Sequence, residues 1–183
     1  MLSYQLVSQI SFGVSISGLG YHPTPDANSH VYKWKIDKKG KFIGFTGLTF
    51  AVSYRYNDYI GIKFVQTLVF HDCAGRFAGV SHIGIDFHDD IICWDWTKSH
   101  FSASFGPLWY YRRNWCKNPE YVNNPEFMKL TKSRIWENKF VWYGGQIEYA
   151  YKFNTTDAAT INLFPGHPYL YSFSLGVKRT MDN

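Results

Sequence analysis

The sequence predicts an all-β chain, an eight-stranded antiparallel transmembrane β-barrel, and three observations carry that expectation. Apolar and polar residues alternate with a period of two almost throughout the 183 residues, which is the period of a strand and not of a helix. Seven Trp, 14 Tyr and 15 Phe make 20% of the chain aromatic, more rings than the core of so small a domain holds. One face of the alternation is rich in Gly and Ser, and the other is almost purely apolar and aromatic.

The first strand is expected over 6–21, with Leu6, Ile10, Phe12, Val14 and Ile16 opposite Gln9, Ser11, Gly13, Ser15 and Ser17. The second covers 41–56, where Leu48, Phe50, Val52 and Tyr54 alternate with Gly47, Thr49, Ala51 and Ser53. Asn57-Asp58 makes a tight hairpin turn, because both residues tolerate the backbone such turns need. The third strand, 59–71, sets Ile60, Ile62, Phe64, Leu68 and Phe70 against Gly61, Lys63 and Thr67. The fourth, 77–87, sets Phe77, Ile83, Ile85 and Phe87 against His82, Gly84 and Asp86. The fifth, 100–115, places Phe101, Ala103, Phe105, Trp109 and Tyr111 opposite Ser102, Ser104 and Gly106. The sixth, 136–153, places Val141, Tyr143, Ile147, Tyr149, Tyr151 and Phe153 opposite Gly144, Gln146, Glu148, Ala150 and Lys152. Asn154–Asp157 turns the chain into a seventh strand at 158–164. The eighth, 169–179, alternates Tyr169, Tyr171, Phe173, Leu175 and Val177 with Ser172, Ser174 and Gly176.

The connections alternate in length. Those after the second and sixth strands are short, and those over 22–40 and 114–135 are long. An even strand number with short turns at one end and long loops at the other is the outer-membrane pattern. Tyr and Trp gather near strand ends, Tyr54, Tyr56, Tyr59, Trp109, Tyr110, Tyr111, Tyr149, Tyr151, Tyr169 and Tyr171 among them, as an interfacial girdle requires. A soluble barrel would turn the faces inside out and put Lys63, Gln146 and Glu148 in solvent. Residues 1–183 read as one domain without repeats.

No stretch nears the roughly 18 apolar residues of a membrane helix, and the mean hydropathy is -0.27; neither observation bears on a barrel. The start Met1-Leu2-Ser3-Tyr4 carries no charged and apolar leader, so no signal peptide is expected in it. The net charge of +5 and pI near 9.0 suggest an anionic partner. Lys and Arg form no obvious stripe, so membrane lipid and lipopolysaccharide are expected as partners rather than nucleic acid. Cys73, Cys93 and Cys116 are too few for a disulfide scaffold and fit no zinc spacing. No cofactor or metal is expected.

An eight-stranded barrel is too narrow for a wide pore, so function is expected in the interior or at the rim. Taking Asn57-Asp58 as periplasmic puts His22, His30, His71, Asp72, Cys73 and His167 on the outer side. A Cys beside an Asp, with His at neighbouring strand tops, has the makings of a thiol, imidazole and carboxylate site. The structural alternative is ordinary loop residues and an inert thiol. A Cys73–Cys116 bridge would be allowed in an oxidising envelope and would abolish the nucleophile. Arg112, Arg113, Lys117, Lys129, Lys132 and Arg134 flank the 114–135 loop and are candidates to grip lipid phosphates beside the girdle. Lys63, Gln146, Glu148 and Lys152 face inward and are expected to fill the lumen with a polar network. His82 faces the same way, near Asp86.

The whole-chain pattern resembles small eight-stranded bacterial outer-membrane barrels. Within these, Tyr21-His22 and Phe70-His71-Asp72-Cys73 resemble the lipid A palmitoyltransferase family, which has a His after an aromatic at the end of its first strand and an Asp-Ser pair at the end of its third. The resemblance implies His22 as acid/base and Asp72 as catalytic carboxylate, with Cys73 where the family has Ser. Two functions follow as expectations. One is an outer-membrane enzyme that transfers or removes acyl chains on lipid A or phospholipids through His22, Asp72 and Cys73. The other is a non-catalytic barrel acting as anchor, adhesion or assembly partner, including with proteins, through its loops 22–40 and 114–135. A soluble carrier with an apolar interior is the third possibility.

Overall fold

A computed structural model describes residues 8–24, 28–88, 98–115, 120–121, 129–130, 135–166 and 170–182. Nine strands run through them: β1 (Gln9–Tyr21), β2 (Phe42–Arg55), β3 (Ile60–His71), β4 (Ala78–His88), β5 (Ser99–Arg113), β6 (Lys129–Leu130), β7 (Trp136–Lys152), β8 (Asp157–Gly166) and β9 (Leu170–Asp182). β6 is a two-residue pairing on β7, and the other eight are long. Each long strand pairs antiparallel with its chain neighbour. β5 pairs with β7 across the 114–135 connection, and β1 with β9, so the sheet closes on itself without a free edge. This is the expected eight-stranded barrel, and closure removes the unpaired backbone groups that lipid cannot satisfy.

Burial decides which face is outside. Ile16, Phe105, Leu175, Val177 and Ile62 are all more than half exposed, while Lys63, His82, Asp86 and Glu137 are sealed inside at 0–1%. A soluble barrel inverts this order. The apolar outer wall and polar interior are those of an integral barrel of the outer-membrane type, and the soluble-carrier expectation is withdrawn on that ground. Among the described residues no helix is long and apolar enough to cross a membrane; the strands make the crossing.

The interior is filled. Lys63 Nζ donates to Glu148 Oε2 at 2.8 Å, and Lys178 donates to the other Glu148 oxygen. Ser17, Thr49 and Thr67 form a hydroxyl ladder with steps of 2.8 Å. His82 lies 2.9 Å from Ser104 Oγ and 3.0 Å from the Pro107 carbonyl. Toward the end that carries the 22–41 and 114–135 connections, Val65, Val80, Leu108 and Phe164 pack into an apolar plug.

Two expectations about faces and one about a strand end are corrected. Val141 packs inward against the plug rather than facing lipid. The register shift explains it: Gly106 pairs with Gly144 but Leu108 with Val141, so β7 holds one residue more than β5 between those pairs and the strand changes face. Gly144 permits the bulge, because a Cβ there would overlap the Leu108 side chain. Tyr110 likewise turns inward with the even positions of β5 and packs on the plug. Lastly, the final strand continues to Asp182 and carries Lys178 on the parity of Ser174 and Gly176, into the lumen.

Candidate functional site

Three connections at one end of the barrel, called L1 (22–41), L2 (72–77) and L3 (114–135), are tied to each other over its mouth. L1 docks on L2 through its backbone: the amides of Lys33 and Trp34 donate to the Cys73 carbonyl at 2.8 and 3.4 Å. His30 Nε2 of L1 lies 2.7 Å from the Glu120 carbonyl of L3. L2 docks on L3 through Asp72. Its Oδ1 accepts the amides of Ala74 and Arg76 at 2.9 and 2.8 Å, and its Oδ2 accepts Trp115 Nε1–H at 2.9 Å. An Asp at the start of a tight loop bonds forward to backbone amides for local reasons; the Trp115 bond extends that turn to a second loop.

His22, Asp72 and Cys73 all reach this cap. His22 follows β1 directly and is 6% exposed. Its ring stacks on Tyr32 at 6.1 Å, Tyr32 meets Trp115 edge-on at 5.9 Å, and Trp115 holds Asp72. Cys73 is 6% exposed and packs with Tyr32, Ile43, Ala74 and Trp115. Tyr32 and Trp115 thus link His22 to Asp72 through a continuous run of ring contacts and one hydrogen bond. Burial pushes the Asp72 carboxyl above its ordinary value, against the opposite pull of the Arg76 amide, the Trp115 indole and the Arg112 charge. The described residues hold no three His, Cys, Asp or Glu side chains grouped as a metal site.

Below Trp115 lies an ion pair. Arg112 Nε donates to Glu137 Oε2 at 2.6 Å, and its guanidinium covers the Trp115 ring at 3.8 Å. Arg112 also donates to the Tyr121 hydroxyl at 3.1 Å, which in turn donates to Glu137 Oε1 at 3.1 Å. Burial, with the nearby Glu137 charge, raises the Tyr121 phenol to about 12 against the lowering by Arg112. Arg112 is thus turned into the mouth, and Arg113, of opposite parity, is exposed outside. Lys117, Lys132, Arg134, His167, Cys93 and Cys116 lie outside the described residues, so the lipid-gripping set is placed only at Arg112 and Arg113.

Sequence reasoning missed the connecting groups Tyr32, Tyr121 and Glu137, and it missed the lysines of L1. Lys33, Lys35, Lys38, Lys39 and Lys41 fall within nine positions of one loop, with Asp37 the one acid among them. Among the described residues none of the five is ion-paired. The amide of Phe42, bonded to Asp37, holds that carboxyl below its usual value. The signal was available, because Lys33-Trp34-Lys35-Ile36 already alternates as a strand does.

No family model matches the sequence, and no curated protein matches it. Solved structures do match across nearly the whole chain. Ail, the attachment invasion locus protein of Yersinia pestis, in complex with the heparin analogue sucrose octasulfate, is 10% identical over 97% of this chain and 99% of its own, with a TM-score of 0.50. The outer membrane protein OprG of Pseudomonas aeruginosa is 10% identical over 98% of each chain, with a TM-score of 0.51. The N-terminal β-barrel domain of Pseudomonas aeruginosa OprF is 11% identical over 93% of this chain and 97% of its own, with a TM-score of 0.50. At such identity the likeness is one of fold, the small outer-membrane barrel.

Proposed function

We propose that the chain is a non-catalytic barrel of the bacterial outer membrane that anchors an anion-binding cap at the outer surface. The observation that carries this reading is the cluster of five L1 lysines with no carboxylate partner among the described residues. The cap beneath it is fastened by bonds among all three loops, so the backbone that carries the lysines is held in place and binding has chiefly their side chains to order. A filled lumen leaves the barrel itself the role of anchor. Ail, of the same fold, is described with a sulfated saccharide, and the L1 lysines offer charge of the matching sign. The test is retention of the detergent-purified barrel on immobilised heparin. Salt-sensitive retention, weakened when the L1 lysines are neutralised, supports the reading; no retention of the folded protein overturns it.

A second reading, acyl transfer or removal on lipid A or phospholipid, is supported by the convergence of His22, Asp72 and Cys73 on one cap. Mass spectrometry of lipid A and phospholipid incubated with the barrel tests it. Acyl transfer that is lost in His22→Ala and Cys73→Ala favours the enzyme; equal silence of all three proteins removes it.

A further inference from the structure

L1 carries a small hairpin that extends the barrel wall. Lys35 bridges Ile43, Ile36 N–H donates to the Phe42 carbonyl at 2.9 Å, and Gly44 N–H donates to the Trp34 carbonyl at 2.8 Å. Residues 34–36 therefore take the place beside β2 that β3 gives up at His71. The turn is closed by Gly40 N–H on the Asp37 carbonyl at 3.2 Å, and by the Asp37 carboxylate, which accepts the amides of Lys39 and Phe42 at 3.2 and 2.6 Å. Gly40 has φ of 68°, in the left-handed region that favours glycine.

Residues directly opposite in an antiparallel pair share a face. Ile36 and Trp34 therefore share the outward face with Phe42 and Gly44. Phe42 belongs to the lipid-facing row of β2, and the Trp34 ring lies 5.9 Å from the His71 ring at the end of β3. Trp34, Ile36 and Phe42 are 39%, 64% and 42% exposed, so the apolar wall continues upward onto the hairpin. Just past that apolar edge the tip presents Lys38, Lys39 and Lys41. Apolar side chains with Trp at the interface and cations one step beyond match the layering of a leaflet, acyl region first and phosphates above it. A soluble polyanion would need the lysines alone and would leave the apolar edge unexplained.

The geometry points to the L1 hairpin as a clasp for phosphorylated lipid headgroups of the surrounding outer leaflet, with Trp34 and Ile36 in the acyl layer and Lys38, Lys39 and Lys41 on the phosphates. This rests on the anion-binding reading of the cap and names its partner. The full chain is reconstituted into phosphatidylcholine nanodiscs containing bisphosphorylated lipid A or the same lipid A stripped of phosphate. Lipid A that survives detergent extraction is quantified by mass spectrometry, and heparin retention is measured in parallel. Gel mobility without boiling checks that each protein is a folded barrel.

Wild type is expected to keep the phosphorylated lipid preferentially. K38Q/K39Q/K41Q lowers that retention about 100-fold, at ~1 kcal/mol per surface lysine and about 1.4 kcal/mol per factor of ten. W34S/I36S lowers lipid retention and leaves heparin retention unchanged. The clasp is overturned if phosphate removal makes no difference, or if both folded variants keep lipid A as wild type does. Heparin binding that persists in either case leaves the anion-binding cap standing, whereas a folded wild type that holds neither probe overturns both. If the variants do not fold, the comparison of the two lipid A forms on wild type decides.

Discussion

Replacing Glu148 with Gln tests whether the lumen is packed or wet. Glu148 accepts from Lys63 at 2.8 Å and from Lys178, and the side chains of the three are 5%, 1% and 20% exposed. Glu148→Gln removes the anion and strands Lys63, whose side chain is 1% exposed. Breaking a buried pair from one side costs about 3–5 kcal/mol. The lower end applies, because Lys178 keeps access to solvent and Asp86 remains nearby. About 3 kcal/mol, with an m-value of about 2 kcal/mol/M, moves the urea midpoint down by about 1.5 M. The assay is urea unfolding in micelles, followed by tryptophan fluorescence and by gel mobility without boiling. Lys63→Met combined with Glu148→Gln should recover part of the loss, since no cation is then stranded, and the double-variant cycle isolates that coupling. A Glu148→Gln midpoint equal to wild type would refute the reasoning. It would mean that water already screens the two lysines and that the barrel is an open channel rather than an anchor.

Four further outcomes are expected. Asp72→Ala leaves the Ala74, Arg76 and Trp115 donors unmet, at about 1–3 kcal/mol for each one that water cannot reach, whereas Asp72→Asn keeps the Oδ1 acceptor and disturbs chiefly the Trp115 bond; near-ultraviolet circular dichroism of the cap ranks the two. Because burial raises the Asp72 carboxyl above 3.8 in the folded cap, its protonated form contributes stability that is fully present below that pH and is lost as pH rises through the folded value; a cap melting temperature that does not fall over that range, or falls equally in Asp72→Asn, counts against it. Arg112→Gln strands Glu137, which is 0% exposed, and should lower the unfolding free energy by about 3 kcal/mol, measured by the same urea titration. Gly144→Ala forces a methyl against Leu108 at the β7 bulge and should cost about 1–3 kcal/mol, while Gly18→Ala, where a Cβ meets only the Phe45 carbonyl at 3.5 Å, should cost less.

The barrel was legible because its cause is local. A strand buried on one face and lipid-coated on the other must alternate, and Ile60, Ile62 and Phe64 against Gly61 and Lys63 show that in five residues. Bulges break this logic at single points. Val141 and Ile147 are six apart, so a strict period of two sets both on the outer face, and the extra residue between them shows only in the pairing partners. The C-terminal strand runs past its expected end at 179 to Asp182. Lys178 shares the parity of Ser174 and Gly176, which makes it a lumen cation held by Glu148, two strands away. The cap was least legible, since the bonds that join its three loops link residues far apart in the chain, as Asp72 and Trp115 are. This bears on the Asp72-Cys73 motif itself. An Asp that opens a tight loop is selected to bond forward to amides whether or not it takes part in chemistry. The short match to a catalytic pattern is therefore what a well-made loop produces as well. The Trp115 bond adds what a well-made loop does not need: one Asp72 oxygen serves two amides of L2, while the other serves an indole from a different loop. Asp72 therefore both closes L2 and pins it to L3, and either function of the cap builds on that anchoring.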